Sequence, residues 1–269
     1  MLSSEHTRAA ADLLWRHWQD GSLLPALPEK FRPAERRDGY AVQALLEARS
    51  AKPLFGWKIA ATSRAGQRHI GVDGPLAGRL LAERAFASGA ELPFGASNMK
   101  VIEPEFAFRM GRELPPRPAP YAVDEVLAAV ESLHPAIEVP DSRYEDFTQV
   151  GAPQLIADDA CAHRFVLGPP APFSWRALDL VTHRVLASVA GGNGTGKLER
   201  EGSGANVLGD PRVALAWLAN ELSGLGIVLR AGQVITTGTC CVPLAAAAGD
   251  AVSVDFGALG KASMRFART

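Results

Sequence analysis

Alternating apolar and polar positions predict several β-strands, and the clearest of them spans residues 101–108. Side chains two positions apart share one face of a strand. Glu103 and Glu105 therefore lie side by side, about 7 Å apart along the backbone, while Ile102 and Phe106 face the core. Two adjacent carboxylates repel each other. Either a divalent cation or neighbouring lysine and arginine side chains on a solvated face would neutralise them.

Helical spacing and capping residues predict two helices before the first strand. One spans about residues 4–19, where a serine can cap it and apolar residues recur every three to four positions. The second spans 33–49, and Pro33 suits its first turn. Together they predict an N-terminal helical subdomain. Further helices are predicted over 62–70, 123–133 and 210–222.

Two charged residues stand in otherwise apolar strands. Lys58 lies in the strand predicted over 54–60, where it either extends to solvent or serves an anionic substrate or proton transfer. Glu138 lies between Ile137 and Val139 in a short strand. It is either a surface residue or a third carboxylate for a metal site.

The C-terminal half is predicted to be rich in strands. Residues 181–189 and 196–201 flank the turn Gly191–Gly194, whose Asn-Gly pair favours a hairpin. The glycines and Lys197 also match part of a phosphate-binding loop, but Leu198 occupies the position that requires Ser or Thr. We therefore favour the hairpin. Later strands are predicted over 227–229, 233–237, 251–256 and 261–266.

Composition restricts the class of protein. The chain has 269 residues and a net charge of −1, which predicts neither a nucleic-acid nor a membrane partner. No apolar run reaches the ~18 residues of a membrane span, and the N-terminal residues lack the order of a signal peptide. The three cysteines form no Cys-x-x-Cys pair and do not suggest a disulfide framework. We expect a cytoplasmic protein.

Several common chemistries lack their sequence motifs. The chain has no Gly-x-Ser-x-Gly elbow, no histidine or cysteine cluster suited to zinc, and no Gly-x-Gly-x-x-Gly after a strand. Metal chemistry with oxygen ligands is the class that remains.

Six segments carry a wider pattern. They are Gly56–Ile59 with Thr62-Ser63, Ile102–Phe108, Ile137–Arg143, Gly202–Pro211 with Trp217–Asn220, Leu229–Thr239, and Gly249–Phe266. In this order they resemble the 2-keto-4-pentenoate hydratase and 4-oxalocrotonate decarboxylase group of the fumarylacetoacetate hydrolase superfamily. The resemblance extends from about Tyr40 to the end of the chain.

The resemblance implies a fold and a site. The fold is α+β, a mixed β-roll, with a helical subdomain and the lysine strand in 1–75 and the catalytic domain in 76–269. In the site, Mg²⁺ or Mn²⁺ is bound by three carboxylates, a lysine is catalytic, and two hydroxyl residues lie near a small 2-oxo acid. The corresponding residues are Glu103, Glu105 and Glu138, then Lys58, then Ser63 and Thr239. We also expect a homo-oligomer.

Several positions depart from the family pattern, among them Ala60-Ala61, which stand where the family has Gly-Leu. Leu76 replaces an aspartate to which the family assigns an acid–base role, and leucine cannot transfer a proton. Asp159 and Cys161 also replace the usual residues of their segment. The predicted metal site is complete, whereas the predicted pocket is altered.

Three functions follow from the resemblance. The first is a divalent-metal-dependent lyase, a hydratase, that adds water to a 2-hydroxy-dienoate of aromatic meta-cleavage catabolism. The second is decarboxylation or C–C hydrolysis of a related diketo acid, which the replacement at Leu76 motivates. The third is a non-catalytic, metal-dependent binder of oxo acids.

Overall fold

The computed structural model describes residues 1–192 and 196–268, which form six α-helices and thirteen strands. The predicted hairpin turn at Asn193-Gly194 lies outside these residues. The helices are α1 (Ser4–Asp20), α2 (Arg36–Ala44), α3 (Arg64–His69), α4 (Val123–Leu127), α5 (Ala152–Ala157) and α6 (Pro211–Gly224).

Most strands are short, but two of them have ten residues each and dominate the fold. The strands are β1 (Gly56–Ala60), β2 (Leu76–Leu80), β3 (Ala85–Ala87), β4 (Ala90–Leu92), β5 (Val101–Met110), β6 (Val130–Val139), β7 (Arg164–Leu167), β8 (Arg184–Ala190), β9 (Lys197–Ser203), β10 (Val234–Thr239), β11 (Leu244–Ala245), β12 (Ala251–Asp255) and β13 (Lys261–Phe266).

The strands form two sheets. The larger has the order β2-β1-β10-β5-β6-β7-β3, with β11 paired to one end of β5, and the smaller has the order β4-β13-β12-β8-β9. Parallel pairing of β1 with β10 and antiparallel pairing of β5 with β6 make the larger sheet mixed. The predicted α+β class is confirmed.

The larger sheet is curled, so that side chains on its inner face meet across several strands. Phe55 precedes β1 and Phe165 lies on β7, and their ring centroids are 6.1 Å apart. Four strand spacings in a flat sheet would separate them by about 19 Å. The outer face packs against the smaller sheet, where the rings of Phe106 and Phe256 meet edge to face at 5.0 Å.

The two N-terminal helices match their predicted spans more closely than α4 does. Helix α1 has Ser3 as its N-cap, as predicted, and the left-handed Gly21 follows its last residue as the C-cap. Helix α2 is shorter than predicted. The prediction of a helix over 123–133 is wrong, because α4 ends at Leu127 and the chain enters β6 at Val130.

The boundary that the sequence suggests at residue 75 is crossed by strand pairing. Strand β1 pairs with β2 along its whole length and with β10, so the lysine strand belongs to the large sheet. The division into two domains stays a prediction. No helix in the described part of the chain combines the length and the apolar character needed to cross a bilayer.

Candidate metal centre and active site

The central strand β5 presents two glutamates to the inside of the curled sheet. Glu103 and Glu105 lie two residues apart, and Glu103 is directly opposite Glu138 of β6. One carboxylate oxygen of each glutamate lies within 4.8 Å of the others. Glu103 is half-buried, whereas Glu105 and Glu138 are fully buried. The strand register therefore brings together the three carboxylates that sequence reasoning selected.

The hydrogen bonds of these carboxylates leave several oxygens open. Glu105 Oε2 accepts hydrogen bonds from the Thr236 hydroxyl and from the Gly238 backbone N–H, the latter at 2.7 Å. Glu105 Oε1 and Glu138 Oε2 have no donor partner among the described residues, and Glu138 Oε1 has only the ammonium of Lys58, 3.0 Å away. Buried acceptors without donors are costly. Three convergent carboxylates with open oxygens fit a hard divalent cation, which prefers oxygen ligands.

Burial and mutual repulsion favour protonation of the cluster when no cation is bound. Burial, followed by the charge of Glu138, raises the pKa of Glu103 to about 7. The same two causes raise the pKa of Glu105 well above its ordinary value. Nearby Lys58 lowers both pKa values, but by less than burial and the charge of Glu138 raise them. The cluster therefore needs further positive charge to be fully ionised near neutral pH.

Lys58 supplies one positive charge from β1. Its side chain is 3% exposed, and its Nζ lies 3.0 Å from Glu138 Oε1. Burial lowers the pKa of Lys58, but the carboxylates of Glu138 and Glu103 outweigh burial and raise it above the ordinary value. Lys58 is therefore protonated at neutral pH. Strands β1 and β6 are three strand spacings apart in the sheet. The curl of the sheet is what brings Lys58 and Glu138 close enough to form this ion pair.

A strained turn holds the lysine from the other side. Lys58 Nζ donates a hydrogen bond to the backbone oxygen of Ala160 at 3.0 Å. Asp159, Ala160 and Cys161 all have left-handed backbone conformations, with φ between 50° and 62°. Only glycine fits at residue 78, because a Cβ there would lie 2.3 Å from the Asp159 oxygen and 3.0 Å from Lys58 Cγ.

The two predicted hydroxyl residues have different surroundings. Thr239 pairs with Glu105 across β10 and β5, and its hydroxyl donates to the Cys241 oxygen at 2.7 Å. Ser63 instead caps α3, where its hydroxyl accepts from the Gly66 N–H at 3.0 Å. Its neighbour Thr62 packs against Gly238, whose N–H donates to Glu105. The structure thus places Thr239 opposite Glu105 and engages Ser63 locally; a substrate contact by either residue stays a prediction.

Leu76, Asp159 and Cys161, which depart from the family pattern, are all buried. Leu76 begins β2 opposite Ala60 and belongs to the main hydrophobic core. Burial raises the pKa of the Cys161 thiol to about 12, which keeps it protonated and poorly nucleophilic. Asp159 accepts a hydrogen bond from the Arg79 N–H at 2.6 Å, and burial raises its pKa to about 8.

Sequence reasoning missed the groups that position the catalytic candidates. The carbonyl of Ala160 and the N–H of Gly238 are backbone groups, so residue identity gives no direct signal for them. A glycine between two threonines in a strand, at residues 237–239, was the available clue for Gly238. The Asp-Ser-Arg segment gave a second clue, since Arg143 forms a buried ion pair with Asp158 just before the strained turn.

Comparison with known proteins identifies the family of this chain. The family model described as fumarylacetoacetate (FAA) hydrolase C-terminal matches residues 81–267. The 2-keto-4-pentenoate hydratase of Paraburkholderia xenovorans is 30% identical over 268 residues, covering 98% of this chain and 96% of the relative. The 2-oxo-hept-4-ene-1,7-dioate hydratase of Escherichia coli is 32% identical over 236 residues, covering 85% and 86%.

A solved structure agrees over nearly the whole chain. The 4-oxalocrotonate decarboxylase of Pseudomonas putida G7, complexed with magnesium and adipate, superposes with a TM-score of 0.88 at 28% identity, covering 99% of both chains. Another structure of that decarboxylase holds calcium and acetate. The curled-sheet fold, the family match and the near full-length relatives lead to one conclusion: the chain belongs to the fumarylacetoacetate hydrolase superfamily of enzymes, in the group that contains the 2-keto-4-pentenoate hydratases.

Proposed function

We propose that this protein is a divalent-metal-dependent hydro-lyase that adds water to a 2-hydroxy-dienoate, the enol form of an unsaturated 2-oxo acid, in aromatic catabolism. One observation carries the proposal: three buried or half-buried carboxylates converge within 4.8 Å, and a buried lysine lies 3.0 Å from one of them. Relatives of about 30% identity that are named as hydratases supply the reaction class.

Glu103, Glu105 and Glu138 are the residues that would hold the ion, and Mg²⁺ or Mn²⁺ suits their oxygen donors. When bound, the ion supplies Lewis-acid stabilisation to negative charge on the 2-oxo acid. The hydrogen bonds from Thr236 and Gly238 fix the orientation of the Glu105 carboxylate. Glu105 Oε1 and Glu138 Oε2 remain free to bind a cation, while Glu138 Oε1 faces Lys58.

Lys58 contributes a protonated Nζ at the edge of the carboxylate cluster. Its ammonium attracts the substrate carboxylate and stabilises charge on the oxygen of the dienolate as the proton at C3 is gained or lost. The Ala160 carbonyl and the packing of Gly78 restrict its rotation. We propose Thr239, beside Glu105, and Ser63 as substrate-binding residues.

The proposal is tested by following the ultraviolet absorbance of 2-hydroxypenta-2,4-dienoate with enzyme and Mg²⁺. We expect the absorbance to decay as water is added, and Glu105→Ala to abolish the decay. Glu113→Ala removes an exposed glutamate and serves as the matched control. A persistent absorbance with each of a panel of dienoates, while wild-type protein binds the metal, would contradict the proposal.

Decarboxylation of a related diketo acid is the second candidate. Two observations favour it, namely Leu76 in place of the family aspartate and the close structural agreement with a 4-oxalocrotonate decarboxylase. Mass spectrometry of the products separates a gain of water from a loss of CO₂ or a C–C cleavage. Oxalate binding that requires Mg²⁺, without turnover of any substrate, would instead indicate a non-catalytic binder.

We further propose a cytoplasmic homo-oligomer. This proposal rests on the sequence resemblance and on the cysteine pattern, with three free and buried cysteines. Light scattering after size-exclusion chromatography measures the mass of the assembly, and a mass of one 28.5 kDa chain would contradict it.

A further inference from the structure

Two groups hold the buried ammonium of Lys58. Its Nζ lies 3.0 Å from Glu138 Oε1 and donates a hydrogen bond to the Ala160 carbonyl, also at 3.0 Å. These two groups are its polar partners among the described residues. An ammonium has three N–H donors, so two fixed contacts also set the direction of the third. If the Ala160 carbonyl moved, the ammonium could rotate about its contact with Glu138, and that direction would be lost.

The turn that carries this carbonyl is strained. Asp159, Ala160 and Cys161 follow one another with φ values of 57°, 50° and 62°. Residues other than glycine adopt this left-handed conformation at a cost, so they persist in it only where the surrounding structure holds them. The position of the Ala160 carbonyl therefore depends on groups outside the backbone of the turn.

The side chain of Asp159 ties this turn to the larger sheet. Strand β2 lies at the edge of that sheet, next to β1, and Gly78 of β2 is opposite Lys58. The next residue, Arg79, donates its backbone N–H to Asp159 Oδ1 at 2.6 Å. Asp159 is fully buried, so solvent does not compete for this hydrogen bond. The Asp159 carboxyl thus anchors the turn one residue away from the position opposite the lysine.

Strand β2 is a firm anchor because the side chain of Arg79 is itself fixed. Its guanidinium lies 4.6 Å from the Trp57 ring centroid and donates a hydrogen bond to Gln43 of α2. Gln43 in turn donates to the carbonyls of Ala77 on β2 and Ile156 on α5, at 2.8 Å and 2.9 Å. Helix α5 leads directly into the turn. Helix α2, strand β2 and the start of the turn are therefore held together.

We propose that Asp159 is a positioning residue for the proposed reaction: its carboxyl oxygen holds the strained turn against β2 and, through the Ala160 carbonyl, sets the direction of the Lys58 ammonium. The inference rests on the proposed function, because it assumes that Lys58 acts on the substrate. The property that matters is the hydrogen-bond acceptor Oδ1, since Oδ2 has no partner among the described residues. Asparagine keeps one acceptor oxygen and should therefore preserve this role.

The test compares three substitutions of Asp159 in the full chain. Asp159→Ala removes the acceptor and should lower kcat with Mg²⁺ and 2-hydroxypenta-2,4-dienoate by about tenfold or more, since small misplacements of a catalytic group are costly. Asp159→Gly also removes the acceptor but tolerates φ of 57° without strain, so it decides the question if the alanine variant does not fold. Asp159→Asn should keep kcat close to the wild-type value.

Reductive methylation of metal-free protein, followed by peptide mass spectrometry, reports on Lys58 without any turnover. The rate at Lys58 is compared with the rate at exposed Lys52, and in the wild type the 3% exposed Nζ should react slowly. Loss of the Ala160 contact should speed methylation of Lys58 about tenfold in Asp159→Ala and Asp159→Gly, but not in Asp159→Asn. Leu222→Ala leaves a cavity beside α6, controls for a general loss of stability, and should not change the relative rate.

The two measurements separate this inference from the proposed function. If the wild type turns over no dienoate, the proposed function fails, while the methylation rates still report whether Asp159 positions Lys58. An unchanged methylation rate at Lys58 in the folded alanine and glycine variants would overturn the inference, as would an unchanged kcat in an active enzyme. It would also be overturned if Asp159→Asn behaved like Asp159→Ala, or if Leu222→Ala accelerated the methylation of Lys58 to the same extent.

Discussion

At the scale of single residues, the proposed chemistry depends most on the charge of Lys58. This ammonium is buried beside Glu138 and is held by the Ala160 carbonyl. We expect Lys58→Ala to lower kcat by about 10²–10⁴, the usual contribution of a positioned proton donor. Its effect on Mg²⁺ affinity should be small, or a slight gain, because a cation that competes with the metal is removed.

Turnover and metal binding of Lys58→Ala are measured separately, by absorbance and by calorimetry. Lys52→Ala removes an exposed lysine close by in the sequence and is the control. A parallel loss of turnover and metal affinity would mean that Lys58 only supports the fold.

The buried carboxyl of Asp159 predicts a pH dependence of stability. Burial raises its pKa from 3.8 to about 8 in the folded state. Between about pH 4 and pH 8 the folded state therefore binds more protons than the unfolded state, so the free energy of unfolding falls as the pH rises. Above about pH 8 the full penalty, of the order of several kcal/mol, is present.

Asp159→Asn keeps an oxygen that can accept from the Arg79 N–H and removes the charge. We expect the variant to be more stable than wild type at about pH 8, with the difference shrinking towards about pH 4. Urea unfolding across this pH range measures it. Identical pH profiles for the two proteins would show that Asp159 is ionised at no cost in the folded state.

At the scale of elements, the end of β10 shapes the carboxylate cluster. Gly238 has φ +98°, donates to Glu105, and leaves no room for a side chain, since a Cβ would lie 2.0 Å from Thr62 Oγ1. We expect Gly238→Ala to lower the free energy of unfolding by about 1–3 kcal/mol and to weaken Mg²⁺ binding. Calorimetry and urea unfolding provide the measurements.

Gly224, at the end of α6, offers a control substitution that should raise the stability instead of lowering it. A Cβ there meets nothing within 4 Å, and the backbone is helical, so Gly224→Ala should stabilise by up to about 1 kcal/mol. Equal effects of the two substitutions on stability and on metal affinity would refute the role given to Gly238.

The same scale explains where the sequence pattern was misleading. Residues 123–133 carry apolar side chains at helical spacing, but only Val123–Leu127 is helical. Pro135 disfavours continuing a helix, and β5 offers a ten-residue partner, so residues from Val130 onward pair as β6. Short apolar runs do not distinguish helix from strand, and tertiary pairing decides between them.

At the scale of the whole molecule, the carboxylate cluster links metal binding to folding. The three glutamates converge only when β5 and β6 are paired and the sheet is curled, so a divalent ion binds the folded chain in preference to the unfolded one. We expect Mg²⁺ at about 100 times its Kd to stabilise the protein by about 2.7 kcal/mol.

Thermal unfolding with increasing Mg²⁺, and again after removal of the metal by a chelator, measures this effect. Glu105→Gln should abolish the shift in Tm, and Glu113→Gln, at an exposed position, should preserve it. A Tm that does not respond to Mg²⁺, Mn²⁺ or Ca²⁺ in the wild type would remove the basis for a metal centre.

The sequence by itself determined what depends on neighbours along the chain. The two-residue period of a strand puts Glu103 and Glu105 on one face, and Asp210 with Pro211 begins α6 as predicted. The ordered motifs were sufficient to identify the superfamily, because several segments in one order rarely agree by chance.

Only the tertiary structure decided which distant groups meet. Register places Glu138 opposite Glu103, sheet curl brings Lys58 to Glu138, and a left-handed turn presents the Ala160 carbonyl. None of these contacts follows from local spacing, because each depends on the positions of strands and loops that are far apart in the chain.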